Sequence, residues 1–201
     1  GSRHFLEANG ETIQIDCGAF QGRRKEAAEK NRAHFGDAKS VAAMVLTPGP
    51  YDHSGLVPLL VKKGFEGNIY STPATRDIAS LIMMDSARIQ ARDKEYMAKQ
   101  AAKRGEKFTW EPLFTEGDVV QAVHRFVTAS YRRPIPIASG VTCEFYDAGH
   151  ILGSSLAVLD VKNGGAETRI VFSGDLGRKN KPIIRDPPPV PAQDYLILES
   201  T

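Results

Sequence analysis

Apolar and polar positions alternate over His4-Phe-Leu-Glu7 and again over Thr12-Ile-Gln-Ile-Asp16, with Asn9-Gly10 between them. A period of two on either side of Asn-Gly predicts two strands joined by a tight turn. Val41-Ala-Ala-Met-Val-Leu46 is a continuous apolar run of strand length that stops at the Pro/Gly cluster of residues 48 to 50, so a buried strand runs directly into that loop. Leu56, Val57, Leu59, Leu60 and Val61 form a short helical face closed by Gly64, and Asn68-Ile-Tyr-Ser71 reads as another strand. Ile78, Leu81, Ile82 and Ile89 recur at helical spacing, and charge rises toward Lys103-Arg104-Gly105. That pattern predicts one long helix over residues 75 to 104, continuous or broken. Thr115-Glu-Gly-Asp118 has the form of a capping box ahead of Val119, Val120 and Val123, which predicts a further helix.

The last third changes character. Val141, Cys143 and Phe145 alternate, Leu156 to Val161 and Arg169 to Phe172 flank Asn163-Gly-Gly165, and Tyr195-Leu-Ile-Leu198 follows a proline-rich stretch over residues 182 to 191. Strand-then-helix units early and hairpins late predict an α/β chain of mixed sheets covered by helices. The sequence contains no internal repeat, and the proline-rich stretch reads as an ordered surface connection rather than a domain linker.

Composition narrows the class. The chain has 201 residues, 41% hydrophobic and 25% charged, enough to bury a core as one domain or one large fragment. No window approaches the roughly 18 uninterrupted apolar residues of a membrane span, and the N-terminal stretch lacks the apolar core of a signal peptide, so a cytoplasmic location is the expectation. Net charge is only +2, which argues against a protein that grips nucleic acid over its whole surface and leaves a local basic groove open. Cys17 and Cys143 are distant in sequence, each in an alternating apolar run, and read as small core residues rather than a disulfide or a thiolate zinc site.

Most of the chemistry-bearing side chains fall on three loops at the ends of predicted strands: Asp52-His53, Asp147-Ala-Gly-His150 and Ser173-Gly-Asp-Leu-Gly177. Taken singly, an Asp-His pair or a Ser-Gly-Asp turn is ordinary turn chemistry. Together, in order, Asp52, His53, His150 and Asp175 supply the imidazoles and carboxylates that suit zinc, on loops held by rigid strands.

The segments Ile15-Asp-Cys-Gly18, Phe20-Gln-Gly22, Val45-Leu-Thr47, Asp52-His-Ser-Gly55, Asp147-Ala-Gly-His-Ile-Leu-Gly-Ser154, Ser173-Gly-Asp-Leu-Gly177 and Leu196-Ile-Leu-Glu-Ser-Thr201 resemble the β-CASP branch of the metallo-β-lactamase superfamily, over almost the whole chain. The resemblance implies a metallo-β-lactamase-like αββα sandwich, two mixed sheets flanked by helices. It also implies zinc-dependent cleavage of RNA, some members of the family cutting DNA. Carried over by position, Asp52 and His53 become ligands of one zinc ion, His150 a ligand of the other, and Asp175 the carboxylate bridging both. Asp52 and Glu199 are the implied catalytic residues, Glu199 standing where the family has an acid that assists proton transfer.

One motif departs from the family. Where histidines are expected the sequence has Pro48 and Pro50, whose ring nitrogens are acylated amides that ligate no metal. They also press Thr47 and Gly49 toward extended backbone. The expectation is a severely weakened two-metal site, leaving either one ion at Asp52, His53 and Asp175 or a metal-free hydrogen-bond network there. The ends carry a second expectation: Gly1-Ser-Arg-His4 resembles the middle of an opening hairpin and Glu199-Ser-Thr201 breaks off inside a motif. Residues 1–201 are therefore read as a partial metallo-β-lactamase-fold domain, incomplete at both ends, without the β-CASP cap and C-terminal strands. Its exposed edges would be covered by a second copy of the chain or by the missing cap domain.

Three basic runs, Arg23-Arg-Lys25, Arg132-Arg133 and Arg178-Lys-Asn-Lys181, compete as contacts for RNA or another single-stranded nucleic acid against a reading as solvated surface; Arg178, close to Asp175, is the best candidate. His34 and His124 read as ordinary loop and helix residues, His4 as a packed residue near the site, and Trp110 as a packing anchor. Three functions remain in view: an RNA-processing metallohydrolase, a catalytically inactive scaffold or partner in an RNA-processing complex, and a hydrolase of small esters on the same fold.

Overall fold

The computed structural model describes residues 1–33, 36–47 and 49–200, with the backbone alone for Arg24 and Lys25. Pro48 and His34 therefore lie outside the described residues, as do the side chains of most of the first basic run. Among the described residues, ten strands form two five-stranded sheets. The first has the order β1(His4–Ala8), β2(Glu11–Ile15), β3(Val41–Val45), β4(Asn68–Ser71), β5(Phe126–Thr128). The second has the order β10(Tyr195–Ile197), β9(Ala166–Phe172), β8(Ser155–Asn163), β7(Val141–Asp147), β6(Ile135–Ala138). Both sheets are mixed: β1–β2 is antiparallel while β2, β3, β4 and β5 run parallel, and β6 to β9 pair antiparallel before the parallel pair β9–β10.

The predicted hairpins form for the expected reason. Asn9 and Gly10 both take positive φ (51° and 81°), the two-residue geometry that lets Ala8 pair with Glu11. Gly164 and Gly165 do the same between β8 and β9, with Asn163 opposite Ala166.

The apolar run of β3 is buried on both faces. Ala43 and Val45 meet Ile13, Ile15, Phe145, Leu159 and Phe172 in the core between the sheets, whereas Met44 and Leu46 turn outward to the helices. The helical layer comprises α1(Arg24–Ala33), α2(Tyr51–Ser54), α3(Val57–Lys62), α4(Pro73–Arg104) and α5(Glu116–Val123), and Leu56, Leu60, Met83, Phe114 and Val119 pack from it and its loops onto the first sheet. On the outer face of the second sheet, Tyr146, Leu156, Val158 and Val171 are covered by Leu176 and Val190, the latter from the proline-rich connection.

The long helix is continuous. Thr72 caps it by accepting from Thr75 N at 3.2 Å, Pro73 occupies its first turn, and Gly105 ends it at φ 68°. The Thr115 capping box forms with Asp118 as its reciprocal partner. Four elements went unread in the sequence: α1, α2, β5 and β6. The last of these contains Pro136 and lies at a sheet edge, the position that tolerates a missing N–H. Cys17 and Cys143 are fully buried and free, as expected of core residues. Among the described residues, no helix is long and apolar enough to cross a membrane.

Candidate functional site

Five strands, β2, β3, β7, β9 and β10, run out in loops that carry Asp16, Thr47, Asp147 to His150, Asp175 and Glu199. Asp16, Asp175 and Glu199 of these loops meet Asp52 and His53 of α2 at one cleft of about 280 Å³, bounded also by Ser2 and His4.

Asp16 anchors it. The residue takes a left-handed backbone (φ 60°), held by Asp16 N donating to Val45 O at 2.9 Å and by Gln14 Nε2 donating to Asp16 O at 2.8 Å. Its buried carboxylate accepts Thr47 N at 2.8 Å, Thr47 Oγ1 at 2.8 Å and His53 Nδ1 at 2.9 Å. With Nδ1 so committed, the other ring nitrogen of His53 faces the cleft, where Nε2 lies 3.1 Å from Asp175 Oδ1 and 3.8 Å from Asp52 Oδ2. His150 Nε2 stands 3.8 Å from Asp175 Oδ2. Burial alone would push the His53 imidazole down, but the hydrogen bond and charge of Asp16, with the charges of Asp175 and Asp52, lift it to about 9.

The segment bearing Asp52 and His53 is stitched into place by its backbone: Ser2 N donates to Asp52 O at 2.7 Å, Cys17 N to His53 O at 2.7 Å and Ala19 N to Tyr51 O at 3.0 Å. The approach is so close that a Cβ on Gly18 would stand 1.5 Å from Asp52 O. Gly49 fills a similar role, since a Cβ there would lie 2.1 Å from His53 Cδ2.

The His150 loop is fixed from four sides. Ser154 Oγ accepts His150 N at 2.9 Å, Gly153 O accepts the hydroxyls of Thr72 and Thr75, Tyr131 Oη donates to Ser154 O at 2.8 Å, and Lys181 Nζ donates to His150 O at 2.9 Å.

The structure thus brings Asp52, His53, His150 and Asp175 together. Glu199 reaches the cleft wall, where its N donates to Ser173 Oγ at 3.0 Å and its carboxylate accepts the N–H of Leu176. Arg178 is exposed three residues beyond Asp175, and among the described residues no hydrogen bond joins it to the site. His4 packs its ring against Phe172, centroids 5.6 Å apart. Sequence reasoning assigned no role to Asp16 or Thr47; the available signal was a polar residue immediately after each of two buried apolar strands.

The two-ion arrangement does not fit: Pro50 caps α2 without a side-chain donor, which leaves His150 and Asp175 for the first ion. One ion fits the donor types at Asp52, His53 and Asp175, and Asp52 Oδ1 is buried without a hydrogen-bond partner, as an oxygen beside an absent cation would be. The spacing is nevertheless that of a hydrogen-bonded network: among the described residues, no three His, Cys, Asp or Glu side chains surround a single point as ligands.

Comparison with solved structures places this architecture. A metallo-β-lactamase from Cronobacter sakazakii with a HARLDQ motif superposes with a TM-score of 0.50 at 13% identity, covering 90% of this chain and 55% of that one. The fold is therefore that of the metallo-β-lactamase class. No protein-family model matches the chain. In sequence it is 32% identical over 202 residues to ribonuclease TTHA0252 of Thermus thermophilus, covering 100% of this chain and 41% of the relative. It is 31% identical over 182 residues to transcription termination factor FttA of Methanosarcina mazei, covering 87% of this chain and 25% of the relative. The chain belongs to the β-CASP group of the metallo-β-lactamase superfamily, and it spans less than half the length of these relatives.

Proposed function

We propose that this chain is the metallo-β-lactamase-fold part of an RNA phosphodiesterase whose site holds at most one zinc ion, at Asp52, His53 and Asp175. The observation that carries the reading is the convergence of the Asp52 and Asp175 carboxylates on Nε2 of the buried His53, with Asp52 Oδ1 unpartnered. The relatives named as a ribonuclease and a termination factor support RNA as the substrate class. A zinc ion bound here would act as a Lewis acid and lower the pKa of its water toward ~7.

The rest of the work falls to the chain itself. Asp16 holds the Nδ1 proton of His53 so that Nε2 remains directed at the cleft. Asp175 lies between His53 and His150 and sets their separation. Asp52 would hold the ion through Oδ1, which leaves Oδ2 to accept a proton on the attacking side, Glu199 stands on the cleft wall to assist proton transfer, and Arg178 meets a phosphate of the strand entering from outside.

Metal analysis of the purified chain together with cleavage of a labelled single-stranded RNA tests this reading. One zinc or fewer per chain is expected, with slow cleavage abolished in Asp175→Asn. Two tightly bound zinc ions would refute the one-ion site, and absence of cleavage by a full-length form carrying histidines at positions 48 and 50 would refute the nuclease reading.

A second reading, a catalytically inactive partner in an RNA-processing complex, is favoured by Pro50 and by the bond that already occupies His53 Nε2. It predicts no bound zinc and no cleavage, with RNA binding retained.

A further inference from the structure

Helix α4 has 32 residues and is about 48 Å long. Its buried residues, Thr75, Ala79, Met83 and Ala87, recur every fourth position along one face and stop at Ala87. Residues 88 to 104 contain no buried side chain, so about 25 Å of helix continues past the core as an arm. Its base is braced by Arg88 with Glu116, by Leu113 N donating to Gln90 Oε1 at 2.8 Å, and by Lys94 with Glu111. Propensity explains why such an arm is helical, since Ala, Lys, Arg, Gln and Met dominate it. Propensity does not explain what its outer face is for.

That face is ordered. Arg92, Tyr96, Lys99 and Lys103 occupy positions i, i+4, i+7 and i+11, which places them in a single stripe with neighbours about 5–6 Å apart. All four are exposed, Tyr96 at 64%. Of the acids of this stretch, Asp93 lies off the stripe and Glu95 borders it, three residues from Arg92 and four from Lys99; among the described residues no ion pair joins Arg92, Lys99 or Lys103 to a carboxylate. Arg104 and Lys107 extend the positive end beyond it. Lys103 and Arg104 also complement the carbonyl end of the helix; Arg92 and Lys99 are too far from that end to do so. A chain whose net charge is only +2 has therefore concentrated unpaired cations on one rod.

We propose that the outer face of this arm binds single-stranded nucleic acid, an auxiliary RNA contact remote from the cleft, which rests on the RNA reading given above. The chemistry selects the partner. Evenly spaced ammonium and guanidinium groups match the repeating phosphates of a strand, and an exposed tyrosine among them offers a face on which a base stacks. An acidic peptide would be served by the cations and would have no use for the ring. The other end of α4 is fixed to the His150 loop, because Thr72 and Thr75 both donate to Gly153 O, so a strand held on the arm is held relative to the cleft.

Binding is read by fluorescence anisotropy with a labelled oligouridylate of about 20 nucleotides, longer than the ~4–16 nucleotides that single-strand sites commonly cover. The variants are the triple R92Q/K99Q/K103Q and the pair Y96A and Y96F, each checked for helix content by circular dichroism. The triple variant is expected to bind at least tenfold more weakly, with a plot of log affinity against log salt shallower by about 2, because each neutralised phosphate of a single strand contributes about 0.7 to that slope. Tyr96→Ala is expected to lose about fivefold or more with its salt slope unchanged, and Tyr96→Phe to retain binding. If the triple variant binds with the affinity and salt slope of the parent, the arm is not the contact, while the cleft's RNA reading stands. A parent chain that fails to bind the oligonucleotide at all overturns both. Displacement of the RNA by polyglutamate at equal charge concentration overturns the assignment in favour of an acidic protein partner.

Discussion

His53 Nδ1 lies 2.9 Å from Oδ2 of Asp16, a residue 37 positions earlier in the chain, and both side chains are only 4% exposed. The pair links the end of β2 to the turn of α2 and determines which ring nitrogen of His53 is left for the cleft.

Replacing Asp16 by Asn keeps the shape and removes the charge. It deprives a buried imidazolium of its principal partner, and breaking such a pair on one side costs about 3–5 kcal/mol. The expected result at neutral pH is a fall in urea midpoint equal to that loss divided by an unchanged m-value. Zinc affinity of the folded fraction should fall ~10- to 100-fold, as when the partner of a ligating histidine is lost. An unchanged midpoint would show that Thr47 alone positions the ring.

Gly49 sets a second condition on the same histidine. A Cβ at residue 49 would stand 2.1 Å from His53 Cδ2, so Gly49→Ala must move either the loop or the ring, at about 1–3 kcal/mol. Gly117→Ala is the control: that Cβ would meet only Thr115 Oγ1 at 3.6 Å, within the first turn of α5, and the substitution should stabilise by about 0.4–1 kcal/mol. Thermal denaturation of the two variants side by side distinguishes a specific clash from a general intolerance of alanine. Any attempt to restore histidines at positions 48 and 50 has to keep Gly49.

The sheets were readable because each rests on local signals that agree with burial: alternation in β1, β2 and β7, the Asn-Gly and Gly-Gly turns, and the doubly buried run of β3. The missing elements lacked those signals. β5 has three residues, β6 contains Pro136, and α2 is a single turn entered from Pro50. Asp52, His53, His150 and Asp175 were legible as polar residues at the ends of apolar runs, and the structure does gather them. Asp16 was visible in its motif, but its role depends on a left-handed backbone and a partner 37 residues away, which periodicity does not encode. The direction of the Glu199 carboxylate, toward Leu176 N, likewise follows from the parallel pairing of β9 with β10 rather than from any local pattern.

The two thiols should be chemically silent in the native chain. Burial raises Cys17 to about 11 and pushes Cys143 further still, with both side chains at 0% exposure. Thiolate is the reactive form, so neither cysteine is expected to react with a thiol-exchange reagent at pH 8 within the time that denatured protein titrates fully. Reaction of both in denaturant and of neither in buffer is the expected outcome; prompt reaction of one in buffer would show a local opening at that strand.

Thr72 joins the helix that carries the arm to the loop that carries His150. Its hydroxyl oxygen accepts Thr75 N at 3.2 Å as the cap of α4, and the same hydroxyl lies 2.9 Å from Gly153 O. Thr72→Ala should lose the cap, worth about 0.5–2 kcal/mol, and leave Gly153 O with Thr75 as its remaining hydroxyl donor. Both effects act on one buried oxygen, so Thr72→Ser, which keeps it, is expected to retain most of the stability that Thr72→Ala loses. The loop provides the more specific readout. Amide exchange at His150 and Ile151, whose N–H groups are held by Ser154 Oγ, should accelerate in Thr72→Ala by more than the global loss of stability accounts for, and should return toward the parent rate in Thr72→Ser. Acceleration equal to the global term would mean that the cap stabilises α4 without fixing the His150 loop.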